Sequence, residues 1–299
     1  MSAYAGPAEL PGALLRALQL DVVRRIEGLL AGEFRSSRYG EGTELAQVRP
    51  YVPGDDVRLL EWNVTARTGV PHVRVNLADR VLITWLVLDA SPSMRFGTAE
   101  RRKCDVAAGV AFAVAHVATR RGNRLGVLTF GGREEKTLPS AQGRQGLLGL
   151  MLALQEEPEL EGGGSTSLGA VLARTGAIAR QRGLVVIVSD FRGTLDWRAP
   201  LLRLLPRHDV LALEIRDRRE QELPDVGEVW LVDPETGRQV RVDTRSALLR
   251  ERFAAAAAEE RSGVARVLSA LGVPHAVLGT EGDWLRELAV FLRGRSRAR

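Results

Sequence analysis

Asp89, Ser91 and Ser93 stand two residues apart in "LVLDASPSMRFG", Leu86 to Gly97, where an apolar run stops abruptly. Thr166 lies further along in the Gly-rich stretch "EGGGSTS", flanked by Ser165 and Ser167. Asp190 closes a second apolar run, "LVVIVSD". All five side chains offer hard oxygen. Such a set suits Mg²⁺, or Mn²⁺ and Ca²⁺, rather than zinc or copper, which favour nitrogen and sulfur. The plainer alternative is that Ser91, Ser93 and Thr166 only cap helices.

Elements must bring these residues together. "VLITWLVLD" is nearly all apolar, as a strand covered on both faces should be. "RLGVLTF", "LVVIVSD", "DVLALEI" and "HAVLG" read as further strands, and "EEKTLP" as an antiparallel edge. Helices are expected from Thr98 to Arg121, Gln142 to Gln155, Leu168 to Arg182, Trp197 to Leu205, Thr244 to Leu271 and Asp283 to Arg293. Thr98 and Thr244 would be caps, and Ser262-Gly263 a kink. Strands alternating with helices imply an α/β fold with a Rossmann-like, doubly wound, mostly parallel sheet. Ligands in such sheets bind beyond the carboxyl ends of the strands, where Asp89, Ser91, Ser93, Thr166 and Asp190 fall. The strands ending at Asp89 and Asp190 should be neighbours. Val226 to Val242 reads as a hairpin around "DPETG", an insertion near 217–243.

The sheet domain is expected over 81–299. Residues 1–80 should hold an N-terminal amphipathic helix and a small β-rich segment. Leu14, Leu18, Val22, Ile26 and Leu30 repeat every four residues on one helical face. Between Phe34 and Asp79, Gly and Pro punctuate short segments. There, Asp55, Asp56, Trp62, Arg67 and Arg74 read as a Pro-Gly turn, a buried Trp and a salt-bridged hairpin, or as a second contact surface.

Several functions are disfavoured. Net charge is +5, but the last 14 residues carry five Arg against one Glu, a frayed tail rather than a nucleic-acid groove. No apolar run approaches the roughly 20 residues needed to cross a bilayer, and the single Cys104 can form no internal disulfide. The expectation is a soluble, cytoplasmic protein. His72, His116, His208 and His275 are scattered, without zinc spacing. "GGGST" lacks the lysine of a phosphate-binding loop, and "YGEGTEL" lacks the third glycine of a dinucleotide loop. Ser189 has no histidine partner and reads as strand-end packing. A metal-dependent phosphohydrolase could use Asp89 as nucleophile, but the second acid it needs two residues on is replaced by Ser91.

Asp-x-Ser-x-Ser, a loop Thr and an Asp after a central strand resemble the von Willebrand factor A domain and its metal-ion-dependent adhesion site. The resemblance implies Asp89, Ser91, Ser93, Thr166 and Asp190 as metal ligands. "RPYVPGDDVRLLEWNVTARTGVPHVR", Arg49 to Arg74, is similar to the signature of a bacterial family carrying domain of unknown function fifty-eight. Its members are often encoded beside MoxR-type AAA+ ATPases. Glu61 stands where the family usually has Asp before the Trp. The likeness runs from about Tyr39 to the C-terminal helix. It implies a non-enzymatic adaptor or co-chaperone that binds such an ATPase through Mg²⁺ (or Mn²⁺/Ca²⁺), with an acidic side chain of the partner completing the coordination.

Overall fold

The computed structural model describes residues 45–76, 83–98, 100–119, 123–132, 135–154 and 167–297. The N-terminal amphipathic helix and Thr166 lie outside them. The described residues divide into two compact units, 45–76 and 83–297.

The larger unit is built on six strands: β3 (Ile83–Asp89), β4 (Arg124–Phe130), β5 (Thr137–Gln142), β6 (Gly183–Ser189), β7 (His208–Arg216) and β10 (His275–Gly279). Their order is β10-β7-β6-β3-β4-β5. Every neighbouring pair is parallel except β4 with the antiparallel edge strand β5. The expected doubly wound, mostly parallel sheet is therefore what forms.

Period-two alternation of the strands divides the core in two. Leu86, Leu88, Leu125, Val127, Val186 and Val188 face one side. They pack beneath α2 (Lys103–Ala118), α3 (Gly143–Leu154) and α7 (Trp284–Arg297). Trp85, Val87, Leu128, Val185 and Ile187 face the other side. They meet α4 (Leu168–Ile178), α5 (Arg198–Leu204) and α6 (Ala247–Ala270). Both faces of β3 and β6 are thus covered, which explains their near-continuous apolar sequence. At roughly 1.5–3 kcal/mol per buried aliphatic side chain, these strands form a firm base for what projects from their ends.

Three local expectations are corrected. Thr98 caps nothing: α2 begins at Lys103 behind Arg102, and Thr98 instead gives its N–H and hydroxyl to Asp217. Ser246 rather than Thr244 caps α6. Up to Arg297 the basic C-terminal stretch lies in α7 rather than in a frayed tail. Leu285, Leu288 and Ala289 are buried and hold that helix down.

The expected hairpin is β8 (Glu228–Val232) with β9 (Gln239–Asp243), a two-stranded sheet of its own. The smaller unit pairs β1 (Leu45–Pro50) with β2 (His72–Asn76) and adds α1 (Trp62–Thr68), a short helix the Gly/Pro pattern did not suggest. Within it, Arg49 forks onto Asp55 at 2.8 and 2.7 Å, and Arg74 pairs with Glu61. Trp62 is 69% exposed rather than buried. It stands at the first position of α1, which turns its indole outward.

Candidate metal centre

Sheet register sets the site. β3 and β6 run parallel in register from Ile83↔Gly183 to Leu88↔Val188. The next residues are Asp89 on one strand and Ser189 then Asp190 on the other, so both carboxyls emerge at the carboxyl edge of adjacent strands. Beyond Asp89 the chain bends at Ser91 into a 3₁₀ turn over Pro92–Arg95, with Pro92 in its first turn, where a missing N–H does no harm. The bend carries Ser91 and Ser93 back over the strand ends.

The side chains form a continuous polar chain. Ser91 Oγ lies 3.0 Å from Ser93 Oγ, and Ser93 Oγ donates to Asp190 Oδ2 at 2.8 Å. Ser91 N–H donates to Asp89 Oδ1 at 2.9 Å, and the Ser189 hydroxyl donates to Asp89 Oδ2. The structure therefore brings Asp89, Ser91, Ser93 and Asp190 together. Ser189, read from sequence as packing, is a direct partner of Asp89.

Two close approaches hold the edge together. A Cβ on Gly183 would lie 2.1 Å from the Ile83 carbonyl oxygen, so only glycine lets β6 start this near β3. Gly131, just after β4, has φ +77, and a Cβ there would lie 2.9 Å from Ser91 Cβ. Phe191, directly after Asp190, is the one non-glycine residue with positive φ among the described residues, at 54°. Its buried ring, edge-on to Trp197 at 5.7 Å, offsets a backbone strain of about 1–2 kcal/mol.

Lys103, at the start of α2, was missed by sequence reasoning. Its side chain is fully buried, with Nζ 2.7 Å from Asp190 Oδ2 and 2.6 Å from Glu220 Oε1. Arg192 also pairs with Glu220, at 3.0 Å. A lysine at a helix start carries no sequence signal of this kind. Burial alone would lower the Lys103 pKa, but the Asp190 and Glu220 carboxylates raise it above its usual value, so it stays charged. Burial alone would raise Asp190. The Lys103 ammonium, with the Ser93 hydroxyl and Arg192 N–H, holds it below the usual carboxylate range. Asp89 lacks such a partner: burial, then repulsion from Asp190, push it up to about 7.

The donor set fits a hard divalent cation. Two carboxylates and two hydroxyls converge at a strand edge, all of them oxygen donors. Among the described residues no cluster of three or more His, Cys, Asp or Glu is placed to hold a metal. A cation at this edge would therefore rest on two carboxylates, Asp89 and Asp190, and on the serine hydroxyls.

A family model described as "Protein of unknown function DUF58" matches residues 47–263. The chain belongs to the DUF58 family. Among its relatives are "Uncharacterized protein Rv1480" of Mycobacterium tuberculosis and "Uncharacterized protein Mb1516" of Mycobacterium bovis. Each is 41% identical over 285 residues, covering 95% of this chain and 90% of the relative. Solved structures similar to this DUF58 chain include BatB from Bacteroides thetaiotaomicron, at TM-score 0.46 and 13% identity, covering 73% of this chain and 100% of that one. A von Willebrand factor type A structure from Catenulispora acidiphila matches at TM-score 0.39 and 16% identity, covering 76% and 44%. No helix among the described residues is long and apolar enough to cross a membrane.

Proposed function

We propose that this DUF58 chain is a non-enzymatic, divalent-cation-dependent protein-binding module. In this reading it is a cytoplasmic adaptor or co-chaperone whose partner is a MoxR-type AAA+ ATPase. The observation that supports binding is the hydroxyl-rich donor set at the ends of β3 and β6. Asp89, Ser91, Ser93 and Asp190 would hold the cation, with Thr166 as a further ligand from the Gly-rich loop. The ATPase partner is supported by the family resemblance of Arg49–Arg74 alone.

Charge decides how a partner would engage. Asp89 and Asp190 supply two formal negative charges, and Lys103 offsets one. The serine hydroxyls add none. A cation held there supplies an electrophilic centre that the protein does not neutralise. A partner's Glu or Asp then meets net attraction, in a charge-assisted contact of about 1.5–3 kcal/mol, or roughly 10- to 150-fold in affinity. Asp89 is engaged through both oxygens, by Ser91 N–H and the Ser189 hydroxyl, which orients it as a ligand.

The test is the affinity of the full chain for its candidate ATPase in Mg²⁺ and in EDTA, beside Asp89→Ala. The reading expects at least about tenfold weaker binding in EDTA and in the variant. Equal affinities throughout would contradict it. So would phosphoester hydrolysis in Mg²⁺ that is lost in Asp89→Asn, which would favour a phosphohydrolase with Asp89 as nucleophile.

A further inference from the structure

We infer that the β8–β9 hairpin is a built-in cover of this site, with Glu235 at its tip standing where a partner's acidic side chain would enter. The inference rests on the cation-dependent reading above and adds its regulation: partner binding must displace a carboxylate of the chain itself.

The contact spans 142 positions of sequence: Glu235 Oε1 accepts the Ser93 N–H at 3.0 Å. Ser93 simultaneously donates its hydroxyl to Asp190. One serine of the candidate site therefore carries a carboxylate from the residue after β6 on its side chain and a carboxylate from the hairpin on its backbone. Positive charge beside such a group of carboxylates favours their charged forms. Lys103 and Arg192 supply part of it, and a divalent cation would supply more.

The tip is shaped before it reaches the site. Asp233 Oδ1 accepts Glu235 N–H at 3.0 Å, Asp233 Oδ2 accepts the Thr236 hydroxyl at 2.6 Å, and the Asp233 carbonyl accepts Gly237 N–H at 2.8 Å. This small network directs Glu235 without help from Ser93.

The rest of the hairpin is lightly held. Among the described residues its strands pair only with each other, and Trp230, Val232 and Val240 are exposed. A lone two-stranded hairpin is marginally stable. Its base is pinned by the buried Thr244, whose hydroxyl donates to the Gly227 carbonyl at 2.7 Å and accepts Val226 N–H at 3.1 Å. A fixed base, a preformed tip and a thin body make a strap that opens at small cost. An incoming acid would then bind with its intrinsic affinity reduced by the fraction of time the strap is open.

Hydrogen exchange on the full chain tests this, with Mn²⁺ alone as the probe. Wild type, Glu235→Ala and Glu235→Gln are compared in EDTA and in saturating Mn²⁺, and Mn²⁺ affinity is measured on the same samples by calorimetry. In EDTA, the Ser93 amide should exchange about tenfold faster or more in Glu235→Ala than in wild type. Mn²⁺ should slow exchange at 233–237 in wild type and in neither variant. Mn²⁺ binding accompanied by equal Ser93 and hairpin exchange in all three proteins overturns the cover and leaves the cation site standing. Absence of Mn²⁺ binding to wild type overturns the cation-dependent reading, and the cover with it.

Discussion

Lys103 is the residue on which the electrostatics of the site turn. It is a buried ammonium serving two carboxylates, one of them a candidate metal ligand. Replacing it by Met keeps much of the volume and leaves Asp190 without its ammonium, while Glu220 keeps its pair with Arg192. Breaking a buried pair in this way costs about 3–5 kcal/mol. In EDTA, Lys103→Met should unfold at correspondingly lower denaturant, and saturating Mg²⁺ should recover part of the loss by restoring positive charge beside Asp190. A deficit equal in EDTA and in Mg²⁺ would mean that the cation and the lysine do not share a field. Asp217 shows the same logic without a metal. Burial alone would raise its pKa, but the N–H and hydroxyl of Thr98, the Thr280 hydroxyl and Arg219 N–H lower it below the usual aspartate value of about 4. A depressed folded-state pKa gives stability that is fully present above the unfolded value and is lost as pH falls through the folded one. Asp217→Asn should therefore cost about 2 kcal/mol or more at pH 7. The gap to wild type should close as pH drops below about 4, read by denaturant melts across pH 2–7.

Strand ends and the glycines beside them seat the candidate ligands. Gly131→Ala combines a left-handed backbone penalty of about 1–2 kcal/mol with a Cβ 2.9 Å from Ser91. Gly272 has a similar φ of +67 and open space around it. Both alanine variants should lose comparable backbone stability, but only Gly131→Ala should also weaken divalent-cation affinity, by calorimetry. Equal affinities in the two would show that Ser91 does not need its present position. At this scale the sequence was informative where burial dictates composition. The apolar runs of β3 and β6 announced covered strands, and the polar residues that follow them come together at the strand ends. It was uninformative where a partner lies far away in the chain. Thr98 looked like a cap because its type suits one, but Asp217, 119 positions on, takes both its donors. Glu235 looked like ordinary turn chemistry in "DPETG", and its contact with Ser93 exists only after the hairpin folds over the strand ends.

If the site holds a cation as proposed, the stability of the whole molecule is coupled to it. A ligand at 100 times its Kd that binds only the folded state adds about 2.7 kcal/mol, which for a domain of this size is a rise in Tm of roughly 5–11 °C. The architecture that makes this possible, a sheet sandwiched between two helical layers, was legible from alternating apolar strands and amphipathic helices. Family membership was legible in Arg49–Arg74, within the region that the family model matches. The exposure of Trp62 was not, because residue type predicts burial and only the placement of α1 turns this indole outward. The central claim is that Asp89, Ser91, Ser93 and Asp190 form one cation site. Isothermal titration of Mg²⁺ and Mn²⁺ into the full chain tests it most directly, with Asp89→Ala as the paired variant and circular dichroism to confirm that both proteins are folded. The account predicts saturable binding at one site in wild type and none in the variant. Binding absent from wild type, or of equal affinity in Asp89→Ala, would contradict it.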